Sequence, residues 1–137
     1  MTEVGVGVIN RIGIGKATER AMRKTISDLE KKGFRPDFVL VDYLYIPYIK
    51  GLGKKGQLGI KNGDKKSFSV AAASILAKVY RDRIMRSLSR RPRYKHYRWG
   101  RNKGYGTKFH LAAIEKYGLT RFHRKQFVET WKRKILL

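Results

Sequence analysis

The sequence has 137 residues and no cysteine, and its 33 lysines and arginines against 10 acids give a net charge of +23. The lack of cysteine excludes disulfides and thiolate metal sites, and a hydrophobic content of 42% argues against a disordered tail. The charge predicts a polyanionic partner, and basic residues interleaved with aromatics favour nucleic acid over a membrane surface. No signal peptide or membrane helix is recognisable, so a cytoplasmic protein is expected.

The first part of the chain predicts a strand, a helix and a second strand. Alternating valine and glycine over 3–9 indicates a short strand, and apolar residues at helical spacing predict a helix over 14–32 that Gly33 ends. The apolar run 37–43 is typical of a strand buried on both faces. Asp42 lies at its carboxyl end, where sites form in open α/β sheets, although an aspartate starting the following turn is the alternative.

A basic loop and a long helix are predicted next. Residues 50–66 are rich in glycine and lysine, which predicts a flexible loop holding a short strand at 58–60. Ser67 or Ser69 can cap the following helix, which is predicted to run to about Leu88. Alanines along this helix allow another element to approach it closely.

Asp82 lies in the later half of this helix, between two arginines. An ordinary ion-pair ladder with Lys78 and Arg86, four residues away on either side, is one interpretation. The other is a metal site: if the helix packs against the strand at 37–43, Asp42 and Asp82 can share Mg²⁺ or Mn²⁺, which prefer oxygen ligands.

The stretch 90–110 is both the most basic and the most aromatic in the chain. Its cations predict phosphate contacts, and stacking on bases or sugars is predicted for Tyr94, Tyr97, Trp99 and Tyr105. A solvated loop with partly buried aromatics is the alternative.

Two helices, at about 107–117 and 123–134 with a break at Gly118, complete the chain. His110 and His123 have no ligand-like spacing, so core or phosphate-facing positions are expected for both.

Several segments closely resemble type 2 ribonuclease H, ribonuclease HII. They are PDFVLVDY, GDKKSFSVAAASILAKVYRDRIM, NKGYGTKFHLAAIEKYG and FHRKQF, and the resemblance runs from about Val4 to Trp131. It implies one domain over 1–137 with the α/β fold of the ribonuclease H superfamily, truncated at the N-terminus and followed by a C-terminal helical region. The implied activity is that of an endonuclease, a metal-dependent hydrolase of RNA strands or single ribonucleotides in RNA–DNA duplexes, in DNA replication and repair.

The resemblance also implies roles for individual residues. Asp42 and Asp82 match catalytic acids that bind Mg²⁺ or Mn²⁺, and Tyr105 matches the tyrosine that stacks on the sugar at the RNA–DNA junction. Further contacts to the RNA–DNA hybrid, or to a DNA duplex with an embedded ribonucleotide, are assigned to Lys66, Arg101, Lys103 and Lys108.

The sequence departs from the family pattern in one major respect. The family's first strand with an adjacent Asp-Glu pair, its Gly-Arg-Gly loop and an Asp-Ser-Lys segment are absent. Since that strand is central in the resembled fold, the strand at 37–43 is left with an unpaired apolar edge. The isolated chain is therefore expected to fold poorly or associate unless a separate polypeptide supplies the strands. A non-catalytic nucleic-acid-binding protein or an inactive fragment is the alternative function. A smaller departure is Tyr43, where the family often has a small residue.

Overall fold

The computed structural model describes residues 1–135, which form two compact units. The first unit is Met1–Ile75 and the second begins at Leu76, so the boundary falls inside one long helix, α4 (Phe68–Arg90). The prediction of a single domain stays a prediction. No helix among the described residues combines the length and the apolar character needed to cross a membrane.

The first unit contains two helices, a pair of parallel strands and a helical turn. In chain order these are α1 (Val6–Ile12), α2 (Ile14–Glu30), β1 (Val39–Asp42), β2 (Gln57–Ile60) and α3 (Gly63–Lys66). A 3₁₀ turn at Lys54–Gly56 precedes β2. In the sheet, Val39 lies opposite Gln57 and Asp42 lies opposite Ile60. The core of this unit is built around Ile26, Val41 and Ile46.

The strand predicted over 3–9 is wrong, because residues Val6–Ile12 form helix α1. Its first turn closes through the backbone N–H groups of Val8 and Ile9, which donate to the carbonyl of Gly5. The only strand paired with β1 in the described residues is β2. A strand without a neighbour leaves its backbone groups unpaired, whereas a helix pairs them within itself. The need to pair backbone groups therefore outweighs the valine–glycine alternation, and the segment is helical.

The strand predicted at 37–43 is confirmed as β1, and the short strand predicted at 58–60 is confirmed as β2. The prediction that both faces of β1 are buried is wrong. Val41 is buried against Ile26, whereas Leu40, on the opposite face, is 40% exposed. One face of the strand is covered by packed side chains and the other is left open. The sheet thus has the alternating burial of a one-sided layer.

The long helix α4 begins where the sequence predicted. Ser67 precedes it in an extended conformation, and its hydroxyl accepts the N–H of Val70 at 3.5 Å, the contact of an N-capping serine. The predicted helices before and after α4 are confirmed as well, as α2 and the two helices of the second unit. Gly33 and Gly118 both follow their helices with positive φ.

The second unit holds the end of α4 and a compact aromatic core. After α4 come a 3₁₀ helix (Pro92–Tyr97), α5 (Trp99–Asn102), α6 (Lys108–Tyr117) and α7 (Lys125–Ile135). Trp99 is 1% exposed and stacks on Tyr97 with ring centres 5.1 Å apart, and the rings of Trp99 and Phe122 meet nearly at right angles. Overall the described chain is mostly helical, and the α/β prediction is met only by a small two-stranded parallel sheet.

Candidate nucleic-acid interface

The loop between α5 and α6 presents Tyr105, which is 61% exposed. Lys103 and Gly104 before it both have positive φ, +51° and +79°. A Cβ at Gly104 would lie 3.1 Å from the Met85 methyl carbon, so the tight turn favours glycine twice over. Thr107 then caps α6 by accepting the N–H of His110. The Lys-Gly-Tyr-Gly-Thr sequence thus specifies its own turn.

Hydrogen bonds fix the backbone of Tyr105 on both sides. Its N–H donates to the Asn102 carbonyl at 2.8 Å, and its carbonyl accepts from the N–H of Thr107 and from Nδ1 of His110, each at 2.9 Å. Above the ring, the Arg81 guanidinium lies 4.9 Å from the ring centre. The tyrosine is therefore exposed but its backbone position is set, which suits a stacking platform.

A buried histidine pair supports this loop. The Trp99 indole N–H donates to Nε2 of His110 at 3.0 Å, so Nδ1 must carry the proton of His110 and donate to the Tyr105 carbonyl. The Thr120 N–H donates to Nδ1 of His123, so His123 is protonated on Nε2, which lies 3.3 Å from Nε2 of His110. Both rings are consistent with the neutral state, and the expectation of a core position is confirmed.

The surroundings of these histidines oppose a positive charge. The pKa of His123 is lowered to about 4, chiefly by burial and also by the nearby His110, against the opposing effect of its hydrogen bond with Thr120. Burial also lowers the pKa of His110, against the opposing effect of its bond to the Tyr105 carbonyl. Protonating either ring would remove an acceptor nitrogen that the network uses.

The stacking role predicted for three other aromatics is wrong. Tyr94, Tyr97 and Trp99 are 7%, 2% and 1% exposed and belong to the core. Their polar atoms are committed to the protein: the Tyr97 hydroxyl donates to the Gly118 carbonyl at 2.8 Å, and the Trp99 indole to His110. Of the four aromatics, Tyr105 alone presents its ring to solvent.

The basic residues predicted to contact nucleic acid differ in their exposure and in their bonds within the protein. Arg101 on α5 and Lys108 at the start of α6 are exposed. Lys103 is half-buried and its ammonium donates to the Gly100 carbonyl, so it supports the turn. Lys66 is exposed at the end of α3, in the first unit.

Asp42 is the last residue of β1, as predicted, and its carboxylate is oriented by α3. The Gly63 N–H donates to Oδ1 of Asp42 at 2.8 Å. Gly63 is buried, and a Cβ there would lie 3.3 Å from the same oxygen. The side chain thus bonds to α3 rather than to the turn that follows it, where Tyr43 adopts a φ of +66°, a conformation that favours smaller residues.

Asp82 is half-buried on α4, and the predicted ion-pair ladder is absent. The ion pairs Arg23–Glu19 and Lys24–Asp28, both shorter than 4.0 Å, lie on α2 and do not involve Asp82. Neither Lys78 nor Arg86 pairs with Asp82. An acid in a strongly basic region is thus left without a cation partner in this part of the chain.

Asp42 and Asp82 have oxygen donor atoms of the kind that Mg²⁺ or Mn²⁺ prefers, but two carboxylates are too few to complete a site. No group of three or more histidine or acidic side chains comes together as a metal site in the described range. Asp42 belongs to the first unit and Asp82 to the second. The residues described here therefore do not form a complete metal site.

Three residues around Tyr105 were missed from the sequence. Asn102 accepts the Gly104 N–H and donates to the Tyr97 carbonyl, and an asparagine two residues before a glycine was the available signal. Arg81 donates to the Lys103 carbonyl at 2.7 Å. Arg124 interacts electrostatically with both Arg81 and Tyr105. No local pattern identifies the two arginines, since their partners are distant in sequence.

Comparison with known proteins identifies one family. A family model described as Ribonuclease HII matches residues 4–130. Among curated proteins, Ribonuclease HII of Caldanaerobacter subterraneus is 45% identical over 91% of this chain and 50% of its own length. Ribonuclease HII of Clostridioides difficile is 46% identical over 93% of this chain and 48% of its own length. Ribonuclease HII of Wolbachia pipientis is 43% identical over 93% of this chain and 62% of its own length. The chain spans about half the length of the first two of these relatives.

Proposed function

We propose, from the premise that this chain belongs to the ribonuclease HII family, that it is the part of such an enzyme that grips the nucleic acid. Its substrate is an RNA–DNA hybrid or a DNA duplex with an embedded ribonucleotide. The observation that carries the proposal is the exposed Tyr105, held on a backbone that hydrogen bonds fix from both sides.

Binding combines stacking with charge. The ring of Tyr105 lies against the sugar at the junction, and Arg101 and Lys108 contact phosphates near it. Lys66, in the first unit, contributes a separate phosphate contact. Lys103 acts mainly by holding the turn, since its ammonium is bonded within the loop. Because the net charge is +23, binding should weaken steeply with salt, by a slope of about 0.9 for each phosphate neutralised on B-form DNA.

Asp42 and Asp82 are proposed as the catalytic carboxylates that this chain contributes. Each would hold Mg²⁺ or Mn²⁺, the ion that polarises the phosphodiester for attack by water in such enzymes. One Asp42 oxygen accepts the Gly63 N–H, which orients the carboxylate and leaves the other oxygen for a ligand. The remaining acids expected for the family come from residues outside this sequence.

A separate polypeptide that carries those acids is the proposed partner. Two features support it: β1 pairs with a single strand in the described residues, and apolar side chains of α4 lie open. Phe68 is 89% exposed and Ile75 is 62% exposed. An added strand would pair the free edge of β1 and cover apolar surface. The cytoplasm, expected from the sequence, is the proposed location.

A non-catalytic nucleic-acid-binding protein is the second candidate. The observation that favours it is the lack of a three-ligand acid cluster within residues 1–135. Both candidates require Tyr105 and salt-sensitive binding. Cleavage distinguishes them.

The test uses a labelled DNA duplex containing one ribonucleotide, with Mg²⁺ or Mn²⁺. We expect the chain alone to bind the duplex without cutting it. Adding the part of a relative that carries the Asp-Glu strand should give cleavage on the 5′ side of the ribonucleotide. Asp42→Asn and Asp82→Asn should abolish that cleavage, while the exposed control Asp37→Asn should not.

The outcomes separate the candidates. Binding that never leads to cleavage, with or without the added part, would favour the non-catalytic function. Cleavage by the chain alone, lost in both acid variants, would contradict the incomplete site. Absence of salt-sensitive binding would remove both candidates.

A further inference from the structure

The second unit contains a cavity of about 630 Å³ beside its aromatic core. Its wall comes from the 3₁₀ helix (Pro92–Tyr97), the end of α6 and the segment 118–124 that leads to α7. Pockets that take small-molecule ligands are of this size, roughly 300–1,000 Å³. None of the described residues that line it belongs to the loop that presents Tyr105. The cavity is therefore a candidate site separate from the proposed contact at the junction.

Two arginines of this cavity are held on a pair of contacting rings. The Arg93 guanidinium lies 5.9 Å from the centre of the Tyr94 ring, and the Arg121 guanidinium lies 5.0 Å from the centre of the Phe122 ring. The two rings meet edge to face with their centres 5.4 Å apart. Both arginines are exposed and both line the cavity. Cation–π contacts thus position two guanidinium groups at one cavity.

The protein does not neutralise the charge of these two arginines. Within residues 1–135 neither guanidinium is hydrogen-bonded or paired with an acid, and the described residues that line the cavity include no carboxylate. Each guanidinium therefore keeps its N–H donors for an external partner. Guanidinium groups bind phosphate oxygens through paired N–H donors. The charge and the donors of this cavity together favour a phosphate group.

His96 adds a polar atom that the protein leaves without a partner. Its ring packs against Tyr97 and Tyr117, with ring centres 4.2 and 4.0 Å away. Its Nε2 atom is shielded from solvent and has no hydrogen-bond partner among the described residues. Buried polar atoms of this kind are rare, because each one gives up its hydrogen bonds to water without a replacement. A small turn of the ring towards the cavity would pair Nε2 with a ligand oxygen.

The cavity also offers apolar surface. Tyr117 and Leu119, which both line it, are 50% and 46% exposed. A phosphate group alone is much smaller than the cavity. A ligand that fills the cavity therefore carries an organic part beside its anion.

We propose that this cavity binds a phosphate ester of about the size of a nucleotide. Arg93 and Arg121 hold the phosphate, and His96 donates to one of its oxygens. The organic part lies against Tyr117 and Leu119. A free nucleotide and a single nucleotide of a nucleic-acid strand offer the same chemistry. The inference goes beyond the proposed function and does not depend on it, since a free nucleotide would occupy the cavity without any duplex.

The first experiment titrates the chain with deoxyadenosine monophosphate and, separately, with deoxyadenosine, which lacks the phosphate. NMR follows the arginine Nε–H signals and the ring signals of His96. We expect saturable shifts of Arg93, Arg121 and His96 with the nucleotide and little change with the nucleoside. Arg93→Gln and Arg121→Gln should each weaken nucleotide binding about tenfold, since each removes a hydrogen bond to a charged group.

The matched control is Arg98→Gln. Arg98 is also an exposed arginine of the second unit, and its guanidinium lies 4.8 Å from the centre of the Phe109 ring, but it does not line the cavity. The control removes the same charge, so it measures the general attraction of an anion to this basic chain. Its effect on nucleotide binding should be small. Thermal unfolding of each variant checks that the fold is kept.

The second experiment uses the same variants with a fluorescent DNA duplex that has a single-stranded end. Nucleotide binding that depends on Arg93 and Arg121 more than on Arg98 assigns the cavity to a free ligand. If only duplex binding shows this dependence, the ligand is part of a strand.

Three results would overturn the phosphate site: equal effects of all three substitutions, a nucleoside that binds as well as the nucleotide, or binding of neither ligand. Failure of the unmodified chain to bind the duplex would remove the proposed function instead. The titration with the free nucleotide would then decide the cavity by itself.

Discussion

The two units differ in how their cores are enclosed. In the second unit the large aromatic side chains Trp99 and Tyr97 are almost wholly buried, and their polar atoms are paired. In the first unit apolar side chains of the sheet region stay open: Phe38, Leu40 and Leu58 are 40–50% exposed. The second unit thus encloses an aromatic core, although Phe109 and Phe127 on its surface are 69% and 53% exposed, whereas the sheet of the first unit leaves one apolar face open.

This difference bears on function, because each unit carries a different part of the proposed chemistry. Tyr105 lies in the second unit, where His110 of the aromatic core bonds to its carbonyl. Asp42 rests on a two-stranded sheet with a free edge. Binding should therefore be more robust than catalysis when the chain is isolated. Substitutions that act on one unit at a time can break or sharpen this contrast.

The largest effect is expected from emptying the core of the second unit. Trp99→Ala should lower the free energy of unfolding by about 3–5 kcal/mol, since it leaves a large cavity and removes the buried hydrogen bond to His110 Nε2. Urea unfolding followed by circular dichroism measures the loss. The control is Phe109→Ala, at a ring 69% exposed, which should cost far less. Equal losses would show that the core of the second unit is not the stabilising element proposed here.

A smaller effect is expected from acid, acting on the same core. The pKa of His123 is about 4 in the folded protein against an ordinary value of 6.5. Between these values the unfolded chain takes up a proton that the folded chain does not, so stability should be full above about pH 6.5 and fall as the pH drops towards 4.

Urea midpoints measured at intervals across this pH range test the acid effect. The variant His123→Gln cannot take up that proton, so its midpoint should depend less on pH than that of the unmodified chain. A midpoint that stays constant from neutral pH down to the folded pKa would contradict the assignment of His123 as a buried neutral ring.

Sequence reasoning predicted the elements that depend on neighbours in sequence. The amphipathic spacing in α2, the capping Ser67 and the glycine after α6 are local signals, and each was confirmed. The prediction of a strand at 3–9 was wrong because a strand also requires a pairing partner, which a local sequence pattern does not reveal. Alternation of valine and glycine fits either state until the partner is known.

Sequence reasoning also did not predict which aromatic residues are buried and which are exposed. Tyr97 and Tyr105 lie eight positions apart in one basic stretch, yet one is in the core and the other on the surface. Composition treats them alike, since burial depends on α6 and the segment before α7, which pack from further along the chain. The family resemblance selected Tyr105, while the supporting network of His110 and His123 required coordinates.

The smallest effects on the free energy of unfolding are expected from substituting two glycines of the first unit. At Gly63 an added Cβ would lie 3.2 Å from a Val70 methyl and 3.3 Å from the Asp42 carboxylate. Gly63→Ala should therefore cost about 1–3 kcal/mol and displace the carboxylate. Gly7 in α1 has nothing within 4 Å, so Gly7→Ala should stabilise the chain by up to about 1 kcal/mol.

Urea unfolding of both variants compares the two positions, and the NMR signal of the Asp42 carboxyl carbon reports on the site. The outcome that would contradict this account is a neutral Gly63→Ala that leaves the Asp42 signal unchanged. A loss at Gly7 would instead argue against helix α1, because alanine favours a helix there and not a strand. Opposite signs at the two glycines would show that the open first unit is nonetheless tightly packed around Asp42, the proposed catalytic acid.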